Sequence, residues 1–135
     1  MRVFHNLLFV LCLFMFMISF SMTGCGNNPQ AAQAKIDRMA KDMQASLPKM
    51  LDKDTKLVKV YANKMELVSE YEMVNFEMNE GNRAAVESKI NSYLKLQLCP
   101  SIKKELLNLG ISARYIYKEK KGQTVVDQVL AKGDC

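Results

Sequence analysis

The chain has 135 residues, with 19 Lys and Arg against 14 Asp and Glu, four cysteines, ten methionines, no tryptophan and one histidine. This length bounds it to a single domain, and the histidine, His5, lies in a segment expected to be removed, which excludes Ser-His-Asp and Cys-His catalysis and histidine metal sites from the rest. Hydrophobic residues make up 49%, but five of the six phenylalanines and four of the ten methionines precede residue 25, so the chain divides there.

The first segment reads as an export signal. Arg2 stands in an n-region without acidic residues, and Leu7 to Phe20 forms an apolar h-region interrupted only by Ser19. A membrane-spanning helix needs about 20 apolar residues; this run is shorter and leads into Ser21, Thr23 and Gly24, which suit a peptidase. Residues 1–24 are therefore expected to be cleaved as a signal peptide. Met22-Thr23-Gly24-Cys25 resembles the lipobox of bacterial lipoproteins, in which an aliphatic and two small residues precede a cysteine. The resemblance covers the signal region alone. It implies cleavage between Gly24 and Cys25, a diacylglycerol on the Cys25 thiol and an N-acyl chain such as palmitate on the freed amine. Two or three acyl chains exceed what stable membrane anchoring requires, because each buried methylene contributes about 0.8 kcal/mol. Gly26 stands where lipoproteins retained at the inner membrane tend to carry Asp. In a Gram-negative cell the resemblance thus implies an outer-membrane anchor facing the periplasm, and in a Gram-positive cell the outer face of the cell membrane.

Residues 25–30 read as the lipidated cysteine and a polar tether, and residues 31–135 as one domain. Ala31 to Leu47 places Ile36, Met39, Ala40, Met43 and Leu47 at helical spacing, a stripe expected to cover the chain's own sheet, with lipid or a partner helix as alternatives. Pro48 ends that helix. Lys56 to Ala62 and Met65 to Phe76 read as strands joined at Asn63-Lys64, with Asn63 suited to positive φ. In the second strand Leu67, Ser69, Tyr71 and Met73 share one face, and Glu66, Val68, Glu70, Glu72 and Val74 share the other.

Asn79 to Asn82 reads as a loop, with Asn82 the expected N-cap of a helix running to about Leu98 along Ala85, Val86, Ile90, Tyr93 and Leu94. Cys99-Pro100-Ser101 interrupts it, and Ile102 to Leu109 forms a shorter helix that stops at Gly110. Ile111 to Lys118 and Thr124 to Leu130 form the last hairpin. The order α-β-β-α-α-β-β predicts an α+β domain, an antiparallel sheet of two hairpins with helices on one face.

Cys12 leaves with the signal and Cys25 carries lipid, so Cys99 and Cys135 remain. In an exported domain they read as one disulfide holding the last hairpin to the helices, the alternative being two free thiols. Two cysteines without histidine do not complete a metal shell. Glu70 with Glu72 and Asp52 with Asp54 are the carboxylate pairs available, and neither has the apolar setting that would raise one pKa. The sequence therefore predicts no enzyme, no metal and no cofactor beyond the covalent lipid on Cys25.

Lys118, Lys120 and Lys121 with Tyr115 and Tyr117 make the terminal hairpin a candidate partner or membrane surface; the alternatives are edge protection for the lysines and a place in the core for the tyrosines. Nucleic acid is not an expected partner, since the basic stretches form no recognisable module. The expected function is that of a lipid-anchored, non-enzymatic interaction or assembly-accessory domain with an envelope protein as partner. A binding module for a lipid or peptidoglycan fragment is the alternative, for which the mature methionines could line an adaptable pocket.

Overall fold

The computed structural model describes residues 28–135, so the signal peptide, the cleavage site at Gly24 and the lipidated Cys25 lie outside the described residues. Helix α1 (Pro29–Gln44) begins inside the expected tether, two residues before Ala31, and ends before Leu47, because two start signals precede Ala31. The Asn28 side chain accepts the Gln30 N–H at 3.0 Å, and Pro29 occupies the first turn. Ala32, Ile36 and Ala40 are buried at four-residue spacing, which turns one stripe onto the sheet.

The chain then forms β1 (Lys49–Met50), β2 (Thr55–Asn63) and β3 (Glu66–Met73). Lys64, with φ 53°, takes the left-handed position in the β2–β3 turn that Asn63 was expected to fill. Helix α2 (Glu80–Tyr93), a π-helical turn (Leu94–Leu98), α3 (Cys99–Glu105) and a 3-10 turn (Leu107–Leu109) lead to β4 (Ser112–Glu119) and β5 (Thr124–Leu130). Gly110, at φ 76°, ends the helical segment in the left-handed conformation as its position predicted. Asn82 is not the cap of α2. Asn79 caps it and Asn82 sits at the third helical position, each side chain accepting the other's backbone N–H in a reciprocal capping box.

The expected α+β class holds, with helices against a five-stranded sheet in the order β1-β2-β3-β4-β5. The sheet is mixed rather than antiparallel throughout. The pairs β1·β2, β2·β3 and β4·β5 are antiparallel, whereas β3 and β4 are parallel, with Glu66 opposite Ser112 and Met73 opposite Glu119. The cause is the connection: α2 and α3 carry the chain back along the sheet, so β4 starts at the end where β3 started.

One face of the sheet presents Leu67, Ser69 and Tyr71 from β3, Ala113, Tyr115 and Tyr117 from β4, and Val126 and Leu130 from β5, all buried. With Ala32, Ile36 and Ala40 of α1, Leu94, Cys99, Leu106 and Ile111, most of these form one core cluster. Burial of this kind contributes about 25 cal/mol per Å² of apolar surface. The opposite face carries a ladder of charge. Lys56 pairs with Glu72 at 2.9 Å, Lys118 with Glu70 at 2.7 Å, and Arg114 with Asp127 at 2.7 Å and Glu66 at 3.7 Å. Val68, only 1% exposed, sits among these ions, flanked in register by Tyr61 and Arg114.

Cys99 and Cys135 form a disulfide with Cα atoms 5.3 Å apart. It joins the first residue of α3 to the segment that follows β5. Beside it Lys103 donates to the Cys135 backbone oxygen at 2.9 Å. Among the described residues no helix is long and apolar enough to cross a membrane.

Candidate protein-interaction site

The two main helices do not lie side by side. Helix α1 packs over β2 and the edge of β3, while α2 leans on β5. The middle of the covered face thus lies below the seam between them. Its floor is aromatic: Tyr71 stacks on Tyr117 with ring centroids 4.6 Å apart and lies 6.3 Å from Tyr115 in a nearly parallel arrangement. The three come together because Ser69 pairs with Tyr115 and Tyr71 with Tyr117 across the parallel ladder, which puts all three rings on one face. Burial is the main force raising the pKa of each phenol, so all three stay neutral.

The walls of the seam are incompletely buried. Helix α2 has no buried side chain; Val86 and Ile90 are half-buried and Tyr93, at the seam's α2 side, is 51% exposed. On α1 Met39 is half-buried against the core and Met43 is 36% exposed. Met73, Phe76 and Met78 extend the partly buried apolar set around the start of α2. Thioethers and a tyrosine lie around the aromatic floor, and flexible methionines can repack against an apolar partner surface.

The residues singled out from sequence fare differently. Tyr115 and Tyr117 do not form an exposed hairpin surface: they are 6% and 7% exposed and belong to the core, because their alternation places both on the helix-covered side. Lys118, Lys120 and Lys121 are not a free cationic patch. Lys118 is spent on Glu70, while Lys120, at 3.1 Å, and Lys121 both bind the Glu77 carboxylate. The Lys121 hydrogen bond is the leading reason that carboxyl is held below the usual range. Glu70 and Glu72, the strand-borne carboxylate pair, each meet a lysine. Asp52 accepts the N–H groups of Asp54 and Thr55 at 2.8 Å, which lowers its pKa and ties the β1–β2 loop.

The seam itself was missed. Val86, Ile90 and Tyr93 fall on the apolar stripe expected along α2, yet none of them is buried; the usable signal is the weak amphipathicity of that helix, since two of its first six residues are alanines and its apolar positions are sparse. A second, open depression of about 340 Å³ lies at the start of α1, lined by Asn28, Ala31, Ala32, Lys35 and Leu109.

Comparison with known proteins gives a fold. No family model matches the chain, and no curated protein matches its sequence. Three solved structures resemble it. EpsS, a pilotin of the Vibrio vulnificus type 2 secretion system, shares 13% identity at a TM-score of 0.59 over 79% of this chain and 94% of its own. AspS, the type II secretion pilotin of Vibrio cholerae, shares 18% identity at 0.56 over 79% and 94%. A secreted protein of Pseudomonas aeruginosa shares 17% at 0.59 over 83% and 99%. At these identities the likeness is one of fold: this chain has the architecture found in secretion pilotins.

Proposed function

We propose that the protein is a lipid-anchored, non-enzymatic accessory of an envelope secretion machine, related in role to the type 2 secretion pilotins. In this reading Cys25 carries the lipid that holds the domain on the outer membrane, facing the periplasm. The seam between α1 and α2 receives an apolar segment of an envelope protein. The observation that carries the reading is that two pilotins match this chain over 94% of their own length. The seam supports it, because its half-buried side chains lie over an already packed tyrosine floor and a partner can bury them without unfolding the core.

The test is genetic and biochemical. Deletion of the gene is expected to leave secretion-system substrates in the periplasm, and the full-length protein to restore their export. Met43→Asp combined with Tyr93→Asp alters two exposed residues, so the variant should fold and reach the membrane yet fail to restore export. Cys25→Ser should fail by losing the membrane fraction. Unchanged export after deletion refutes the secretion role, and full rescue by the double variant refutes the seam.

A further inference from the structure

We infer that the end of the domain built from α3, the π-helical turn and the segment after β5 rests on an anionic lipid surface, with Lys95, Leu96, Lys104 and Lys132 as the contacting side chains. The inference rests on the lipid anchor of the proposed function but not on its protein partner.

The argument begins with where the chain enters. The described residues start at Asn28, three residues from Cys25, and three residues in any conformation span at most about 11 Å. Asn28 lies at the end of the sheet where β3 and β4 start: it lines the depression beside Leu109, and Lys35 donates to the Glu105 backbone oxygen at 2.9 Å. The disulfide brings Cys135, beyond the finish of antiparallel β5, to the start of α3 at the same end. The hairpin with Lys120 and Lys121 is at the other end of β4, roughly 25 Å away for a strand of this length. A tether this short holds the α3 end, not the hairpin, against the bilayer.

Charge follows the same division. From Ser88 to Gly110 the chain carries Lys89, Lys95, Lys103 and Lys104 against the single acid Glu105. Lys95, Lys104 and Lys132 are exposed and, among the described residues, have no ion-pair partner, whereas the hairpin lysines are all committed to Glu70 or Glu77. Lys103 donates to an oxygen of Cys135, the last residue, at 2.9 Å and is the least free of the set. Of the acids near this end, Glu66 pairs with Arg114 at 3.7 Å and Asp134 accepts the Ala131 N–H at 2.7 Å.

At the same end the π-helical turn that carries Lys95 leaves Leu96 73% exposed, more than any other large hydrophobic residue described. An exposed leucine next to a lysine without an ion-pair partner, at the end of the domain nearest the tether, matches an interfacial contact. The aliphatic group enters the headgroup boundary and the ammonium groups meet phosphates.

The chain has no tryptophan, so one introduced indole reports on its own surroundings. The full lipidated protein, its acyl mass confirmed, is purified from membranes as Leu96→Trp and, separately, Gln123→Trp. Each is reconstituted in phosphatidylglycerol and phosphatidylethanolamine vesicles with and without brominated chains. Emission from Leu96→Trp should shift to the blue and lose most of its intensity to bromine, while Gln123→Trp stays unquenched. Adding Lys95→Glu and Lys104→Glu, or replacing the anionic lipid with phosphatidylcholine, should abolish quenching at position 96. Quenching at position 123, no quenching at position 96, or quenching that persists without anionic lipid each overturns the inference. The vesicles hold no other protein, so failure here is distinct from failure to find a partner.

Discussion

Removing the Cys99–Cys135 bridge should cost this domain a large part of its stability. The perturbation is Cys99→Ala with Cys135→Ala, compared with the wild-type protein under reductant. The two cysteines are separated by 36 residues, and closing a loop of that length removes about 4 kcal/mol of conformational entropy from the unfolded chain. The loop contains α3, β4 and β5 and therefore Leu106, Ile111, Tyr115, Tyr117 and Leu130 of the core. Domains of this size are stable by only about 5–15 kcal/mol. With each kcal/mol shifting Tm by about 4–8 °C, the loss corresponds to a fall of roughly 15–30 °C. Circular dichroism melts of the oxidised, reduced and double-alanine proteins measure it, and the last two should agree because alanine adds little strain at the 7% exposed Cys99. Urea unfolding adds a second reading, since an unbridged chain exposes more surface and its m-value should rise. A double variant melting within about 5 °C of the oxidised protein would refute the loop-entropy reasoning.

Three further outcomes follow from the packing and the charges. Glu119 is 2% exposed, its Oε1 accepts the N–H groups of Lys121 at 2.9 Å and Gln123 at 3.2 Å, and its Oε2 has no partner among the described residues. Glu119→Ala should therefore cost about 1.5–3 kcal/mol in chemical denaturation and Glu119→Gln distinctly less, because the amide oxygen keeps the turn's acceptor; equal losses would show that charge rather than geometry holds the hairpin. Tyr117→Phe should leave Tm nearly unchanged while Tyr117→Ala loses about 3–5 kcal/mol, the range for emptying a buried aromatic site; a tolerated alanine would mean the stack with Tyr71 is not part of the core. Asp127 and Glu77 have lowered pKa values through Arg114 and Lys121 respectively, so their stabilisation is full above about pH 4 and fades as the pH falls through their folded-state values. Melts across the acid range should show that decline, and Asp127→Asn should flatten it; an unchanged slope in the variant would count against the Arg114 pair.

Much of this fold could be read from residue order, and the failures share a physical cause. Alternation in β3 and β4 separates Tyr71, Tyr115 and Tyr117 from the charged face, and two late cysteines behind an export-type leader sequence announce a bridge; both are local or compositional signals. Strand direction is not local. Whether Ile111 to Lys118 runs with or against β3 depends on where two helices deliver the chain, and no property of the strand itself encodes that. Counting Lys118, Lys120 and Lys121 as a patch failed for a related reason. Glu70 and Glu77 lie 48 and 44 residues from the lysines they bind, so the cluster is cationic in sequence and nearly neutral in space. The seam was hidden because a helical repeat of apolar residues shows which side of α2 faces inward, not how far that side sinks.

Helix α2 is held at its ends more than along its length. The Asn79–Asn82 box fixes its start, and fully buried Leu94 with the disulfide-linked Cys99 fixes the turn beyond it. Between those points Val86 and Ile90 pack against the core while only half-buried, and Tyr93 is 51% exposed. A docking wall needs that combination, since a wall sunk into the core would have no surface to give and one without fixed ends would lose more conformational entropy on binding than an apolar contact returns. The bridge at Cys99 therefore also fixes the end of the helix from which the proposed partner would be held, and its removal should weaken binding at the proposed seam even at temperatures where the domain is folded.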